Sequence, residues 1–347
     1  MDYAGLDYRN IRFPVNRPLT EEEKNTRYFQ GKIKNSPPMD YISVINFNST
    51  YIDLVDRWYP VKGFNVWVGG TVVAGGFGLC YVVFYILFFS DWVANLKLLD
   101  WVLGGVFFIL ALFIIWGGCW LIKTESWRWT HYPIRLNRKT RQVYFFRQNG
   151  TVCTASWDDL YLVLGTAKSP LTDTTYDLRA HVMDESGTLV KESFTIGYPS
   201  PVAEADAVDN FWAFLQPYME APDGVEKAYK NLKENSYILP IDGRKEGWRW
   251  SIFSSFSVAA PWPWLQLIAS PAFGLNVLGR MFAMWTSKLP QWPDEIAAQN
   301  PVDANDPYIL TWKENASLGW RDLWWPLICT VVGLAVFFGL IASIFID

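Results

Sequence analysis

Three long runs without a charged side chain stand out first, at residues 64–90, 101–122 and 323–346. Each exceeds or approaches the roughly 20 apolar residues that cross a bilayer as a helix. Trp67, Trp92, Trp101, Trp120, Trp324 and Trp325 sit near their ends, where interface anchors belong. Ala74 with Gly78, and Ala335 with Gly339, have the spacing of close helix packing, with small residues on a lipid-facing surface as the alternative. A fourth uncharged stretch, residues 251–279, contains Pro261, Pro263 and Pro271 and has basic residues on both flanks. That pattern predicts a hairpin entering and leaving on one side, or interfacial helices, with a fourth span as the alternative.

Between these runs the period drops to two. Residues 133–137, 142–147, 151–156, 160–164, 176–183 and 189–196 read as strands, with Gln148-Asn149-Gly150 and Asp184-Glu185-Ser186-Gly187 as turns. The period then lengthens. Ala207, Val208, Phe211, Trp212, Leu215, Tyr218 and Met219 form one apolar stripe, an amphipathic helix with Ser200-Pro201 as its start and Pro217 near its end.

The expected fold is therefore an α+β membrane protein: transmembrane helices plus a cytoplasmic β-rich domain capped by an amphipathic helix, with the pleckstrin-homology roll as nearest architecture. The segments are 1–63 (N-terminal, cytoplasmic), 64–123 (transmembrane hairpin), 124–245 (β-rich domain), 246–288 (Trp/Pro-rich, interfacial or re-entrant), 289–322 (polar) and 323–346 (C-terminal transmembrane helix). Lys97 is the one basic residue between the first two runs, whereas Lys123, Arg128, Arg135, Arg138, Lys139 and Arg141 follow the second. The excess of positive charge predicts a multi-pass membrane protein whose N-terminus and middle domain are cytoplasmic.

Composition narrows the function classes. Only 18% of residues are charged, 51% are hydrophobic and 20 are Trp, which excludes a disordered chain and disfavours a wholly soluble enzyme. With a net charge of -4 and no long basic run, no surface for nucleic acid is expected. Cys80, Cys119, Cys153 and Cys329 form no CxxC pair and read as small buried apolar residues. No catalytic, cofactor or metal motif emerges. Asp158-Asp159 reads as a strand-start or turn feature, His181 as a strand-face residue, and His131 as a residue bordering the membrane. Carboxylate-free spans weigh against a carrier.

Residues 133–147 (Pro-Ile-Arg-Leu-Asn-Arg-Lys-Thr-Arg-Gln-Val-Tyr-Phe-Phe-Arg) and Trp157-Asp158-Asp159-Leu160 resemble a family of uncharacterised bacterial membrane proteins encoded beside type VI secretion effectors. Residues 13–23 (Phe-Pro-Val-Asn-Arg-Pro-Leu-Thr-Glu-Glu-Glu) are similar to the same family. So are residues 211–219 (Phe-Trp-Ala-Phe-Leu-Gln-Pro-Tyr-Met), residues 289–296 (Leu-Pro-Gln-Trp-Pro-Asp-Glu-Ile) and Asp306-Pro307. The resemblance implies a non-enzymatic immunity or accessory protein whose partner is a cognate toxin. An adaptor that loads an effector is the alternative, with a channel or transporter subunit behind it. A homo-oligomer stays open, and no cofactor is implied. Protein partners are held mainly by Arg and aromatic side chains, so the expected toxin contacts are Arg138, Lys139, Arg141, Tyr144 and Arg147. The competing expectation is that Arg138, Lys139 and Arg141 face anionic lipid headgroups near the second apolar run.

Overall fold

The computed structural model describes residues 13–32, 34–90, 93, 96–167, 174–198 and 204–344. The chain forms two compact units, each assembled from three separated stretches. One comprises residues 1–61, 129–246 and 289–319, the other residues 62–128, 247–288 and 320–347.

The first unit holds two antiparallel five-stranded sheets. One has the order β1-β10-β9-β8-β2, built from Arg17–Pro18 (β1), Arg27–Tyr28 (β2), Tyr161–Ala167 (β8), Thr175–Met183 (β9) and Leu189–Thr195 (β10). The other runs β3-β4-β5-β6-β7, from Val44–Phe47, Tyr51–Leu54, Ile134–Asn137, Gln142–Phe146 and Val152–Ser156. All six strands read between residues 133 and 196 are present, and Gly150 and Gly187 take positive φ (88° and 69°) in the two expected turns. The amphipathic helix is also present, as Asp206–Glu220 (α4); the expected start at Ser200-Pro201 lies outside the described residues. Its stripe of Val208, Phe211, Trp212, Leu215, Tyr218 and Met219 is buried in the shared core beside Phe47, Leu136, Phe145, Leu178 and Phe194. A second helix, Gly224–Asn235 (α5), adds Val225, Ala228 and Leu232.

The stretches on either side of the apolar runs group into one unit. Residues ahead of the first apolar run are part of the β unit: they supply β1–β4 and a short helix, Glu21–Asn25 (α1), which Thr20 and Glu23 close with a reciprocal capping box. Strand β4 pairs with β5 from Tyr51↔Asn137 to Leu54↔Ile134, so the apolar hairpin is inserted between two adjacent strands of one sheet. Residues 289–319 return to the same unit with a short helix, Asp294–Gln299 (α9), and Phe47 and Leu310 exchange backbone hydrogen bonds of 3.2 and 2.9 Å. The outlying strands escape a period-two reading because β1 and β2 have two residues each, while β3 and β4 are buried on most positions of both faces.

The second unit is helical. Among the described residues three of its helices are long and apolar enough to cross a membrane: Phe64–Phe88 (α2), Leu98–Glu125 (α3), and the run Trp320–Ser343, whose first turn is π-helical and continues into Trp325–Ile344 (α10). Helices α2 and α3 pack backbone to backbone. A Cβ on Gly69 would lie 2.6 Å from the Gly118 carbonyl, and one on Gly76 would lie 2.6 Å from Ile115. The expected packing residues are not the ones used. Ala74 and Gly78 face outward, as do Ala335 and Gly339, because the spacing of a small-residue pair does not say which helix face carries the contact. The Trp92 anchor lies outside the described residues. Of the cysteines only Cys329 is buried; Cys119 is exposed on α3, and Cys80 and Cys153 are half-buried.

The Pro-rich stretch forms three helices, Trp248–Ser257 (α6), Pro263–Ile268 (α7) and Ser270–Thr286 (α8). The Gln266 amide donates to the Phe256 carbonyl at 3.2 Å, satisfying the broken end of α6. At 1.5 Å per residue α6 and α8 are about 15 and 25 Å long, short of the ~30 Å hydrocarbon core. Helix α8 runs antiparallel to α10. Gly274 abuts Thr330 and Leu334, and Ser270 abuts Gly333, close to the midpoint of α10. At its other end Gly279 and Arg280 pack on Gly63 at the start of α2, and Ser287 Oγ donates to the Glu125 carbonyl at the end of α3. The bend between α6 and α8 exposes Val258, Trp262, Trp264, Leu267 and Ile268.

Candidate functional site

The five residues expected to contact a partner have distinct places in the β unit. Arg138 is half-buried and its guanidinium donates to the carbonyls of Tyr218 (2.6 Å) and Ala221, closing the C-terminal end of α4. Helix ends leave carbonyls without intrahelical partners, and a cation there also meets the negative end of the helix dipole. Arg141, at φ 53°, grips Asp158 and lies 3.6 Å from Glu220, so Asp158 takes part in a turn-side ion pair. Tyr144 is 2% exposed and its hydroxyl donates to Gln299 at 3.2 Å. Arg147 pairs with Glu192. Lys139 is the exposed one of the five. Arg141 and Arg147 flank opposite ends of β6, about 20 Å apart at strand rise. Four of the five thus already hold partners within the β unit.

The outer face of the β3–β7 sheet brings distant parts of the chain together. Arg135 on β5 donates to both carboxylate oxygens of Asp53 on β4, at 2.7 and 2.8 Å, with both side chains buried. Its guanidinium lies 3.8 Å from the Tyr51 ring centroid and 4.9 Å from that of Trp292. Burial disfavours the charged guanidinium, but the Asp53 carboxylate outweighs it and raises the Arg135 pKa. Trp292 also meets Phe146 edge to face, and buried Asn137 donates to Asn300 at 2.7 Å. The strings at 133–147 and 289–296, read separately along the sequence, thus share one surface.

A second polar cluster lies on the outer face of the β1–β2 sheet, where Asp177, Arg179 and His181 alternate along β9. Asp177 is gripped by Arg57 and lies 3.0 Å from Arg179. Gly165 on the neighbouring strand makes room for it: a Cβ there would lie 2.6 Å from the Arg179 guanidinium. His181 Nδ1 is 2.7 Å from Ser193 Oγ, and His181 Nε2 is 3.2 Å from a Glu23 oxygen, without a well-directed hydrogen bond. A Ser–His–Glu order is the arrangement of a nucleophile relay, but here the serine is sealed at 3% exposure and Arg17 occupies both Glu23 oxygens at 2.6 and 2.7 Å. A nucleophile must reach a reacting carbon at about 3 Å, so this chain of contacts ties α1 to the sheet. The sequence marked His181 as a strand-face residue; that face is covered by α1 and the histidine is fully buried.

The electrostatics of this cluster give a pH dependence. Burial works against ionisation of Glu23, but His181, Arg17 and the Thr20 amide outweigh it and hold the carboxyl well below the usual carboxylate range. Burial lowers the His181 pKa, against the opposing pull of Glu23. A carboxyl with a depressed folded pKa contributes stability above its unfolded pKa of about 4.3 and loses it as pH falls further. Glu23→Gln should therefore lower the melting temperature most above about pH 5. The difference from the unaltered protein should shrink in more acidic buffer. A difference independent of pH in thermal melts would show that the carboxylate charge plays no part.

Among the described residues no group of three or more His, Cys, Asp or Glu is arranged to hold a metal ion. Residues 108–303 match a family of unknown function, DUF6708. The matched stretch starts within α3 and includes both strings that meet on the β3–β7 sheet. No curated protein and no solved structure matches the chain.

Proposed function

Since the chain belongs to the DUF6708 family of unknown function, its role is read from its own architecture, and we propose that it is a membrane-anchored immunity protein that protects the producing bacterium from a type VI secretion toxin by binding it. The observation that carries this reading is the interleaving of the two units. The apolar hairpin is inserted between paired strands β4 and β5, so the binding body and its anchor cannot be separated without dismantling a sheet. The link to type VI secretion rests on the resemblance of the strings at 13–23, 133–147, 211–219 and 289–296. The β unit is read as a pleckstrin-homology-like roll that acts by binding rather than by catalysis, with an internally paired set of buried charges keeping its shape.

In this reading α2, α3 and α10 cross the inner membrane, and α6–α8 dip into it as a half-depth hairpin with an apolar tip. The start of α2, the end of α3 and the end of α8 share one level, and Lys62, Lys123, Arg128 and Lys288 cluster near it, whereas Lys97 stands alone at the far end of the hairpin. Positive charge on the near side favours a cytoplasmic N-terminus and β unit, with the end of α10 outside.

The test is genetic. Deleting the gene in its host is expected to poison cells only while the neighbouring effector gene is intact, and the full chain supplied in trans should restore growth. Loss of effector export without poisoning would replace immunity by effector loading.

A further inference from the structure

Residues 27–32 run along the edge of the sheet that ends in β2, held there by side chains. Gln30 donates to the carbonyls of Trp157 and Leu160, both at 2.9 Å. The Tyr28 hydroxyl donates to Asp209 at 2.6 Å, and the Gly31 amide donates to Glu220. On this pinned backbone Arg27, Phe29 and Lys32 are exposed. The Arg27 guanidinium carbon lies 4.2 Å from the Tyr161 ring centroid and 4.6 Å from that of Phe29, and Lys32 Nζ lies 4.6 Å from the same Phe29 ring.

The nearby cations differ in what they already hold. Lys24 is paired with Glu21 at 2.7 Å, and Lys34 is paired with Asp209. Arg27 and Lys32 have no carboxylate partner among the described residues. The two rings hold the Arg27 guanidinium in place without taking its N–H donors, whose fork matches a carboxylate. Phe29, 42% exposed, adds apolar area beside that fork.

We propose that Arg27, Phe29, Lys32 and Tyr161 form a docking platform for an acidic segment of a partner protein, one carboxylate of which takes the Arg27 fork while Lys32 supplies a second charge. The proposal deepens the binding role above by naming the partner's chemistry, and it rests on that role. Arg and aromatic side chains dominate protein interfaces, and a segment ordered before binding loses little entropy on contact. Lipid recognition usually draws on clusters of about 4–8 basic residues; two free cations on a fixed aromatic base suit a short acidic peptide better.

The experiment titrates the full-length protein in detergent micelles with a fluorescent Glu/Tyr copolymer, and in parallel with phosphatidylglycerol vesicles. The copolymer is expected to bind, and the double variant Arg27→Ala, Lys32→Ala to bind it about 10-fold or more weakly. Arg27→Lys, which keeps the charge but loses the fork, should also weaken binding, and it keeps the test valid if the double variant fails to fold. Lys230→Ala, which removes a cation paired with Glu226 on α5, should change nothing. Copolymer binding that survives both platform changes overturns the proposal. So does a loss confined to the vesicles. In the growth assay, a double variant that protects fully sinks the platform and leaves immunity standing, whereas failure of the unaltered protein to protect sinks immunity itself.

Discussion

Trp212→Ala is expected to destabilise the β unit by about 3–5 kcal/mol, the range for removing a large buried aromatic. Trp212 is 1% exposed, stacks on Trp157 with ring centroids 5.9 Å apart, and meets Tyr28 at 5.5 Å. Those two contacts join three parts of the chain: α4, the turn after β7, and the N-terminal strand β2. The cavity would open where α4 seals the two sheets, and the rigid aromatic neighbours leave little scope for collapse. For a unit of this size the loss corresponds to a fall in melting temperature of about 6–20 °C. The two units are interleaved, so the measurement belongs on the full-length protein in detergent, followed by near-ultraviolet circular dichroism. Lys227→Ala, on the exposed face of α5, serves as a reference and should melt with the unaltered protein. A Trp212 variant that melts with the reference would place the side chain at a surface and undo the assignment of α4 as the lid of the core.

Asp53→Ala should cost a similar amount for a different reason. Arg135 is 6% exposed, and Asp53 and two rings surround its guanidinium charge. Removing the carboxylate leaves a buried cation without its counter-charge, a loss of about 3–5 kcal/mol in comparable sites. The pair itself is worth far less than this, because both ions were taken out of water to form it. The double replacement Asp53→Leu with Arg135→Met should therefore recover much of what the single change loses. Urea titrations of the three proteins measure the coupling as a double-mutant cycle. Equal losses for the single and double variants would show that packing at these positions, and not the stranded charge, sets the cost.

Both predictions rest on contacts between residues far apart in sequence, but their legibility beforehand differed. Trp212 was marked as core because Val208, Phe211, Trp212 and Leu215 repeat at helical spacing, and a stripe of that kind has one stable place, against another apolar surface. The hairpin turn at Asn149-Gly150 was equally local, since Gly150 needs a positive φ that costs it little. Uncharged runs of sufficient length identified the three long helices in the same way.

Tertiary structure decided what those local patterns could not carry. Arg138, Arg141 and Arg147 read along the sequence as a row of free cations because their partners, the end of α4, Asp158 with Glu220, and Glu192, lie up to 80 or so residues away. Asp53 and Arg135 are 82 residues apart and become neighbours only because β4 and β5 pair across the inserted hairpin. The strands ahead of the first apolar run carry no period-two signal because β1 and β2 have two residues each, and β3 and β4 are buried at most positions of both faces. Periodicity reports which face of one element is apolar; which charge meets which, and which segment completes a sheet, depends on pairing free energies between elements that no stretch of the chain contains alone.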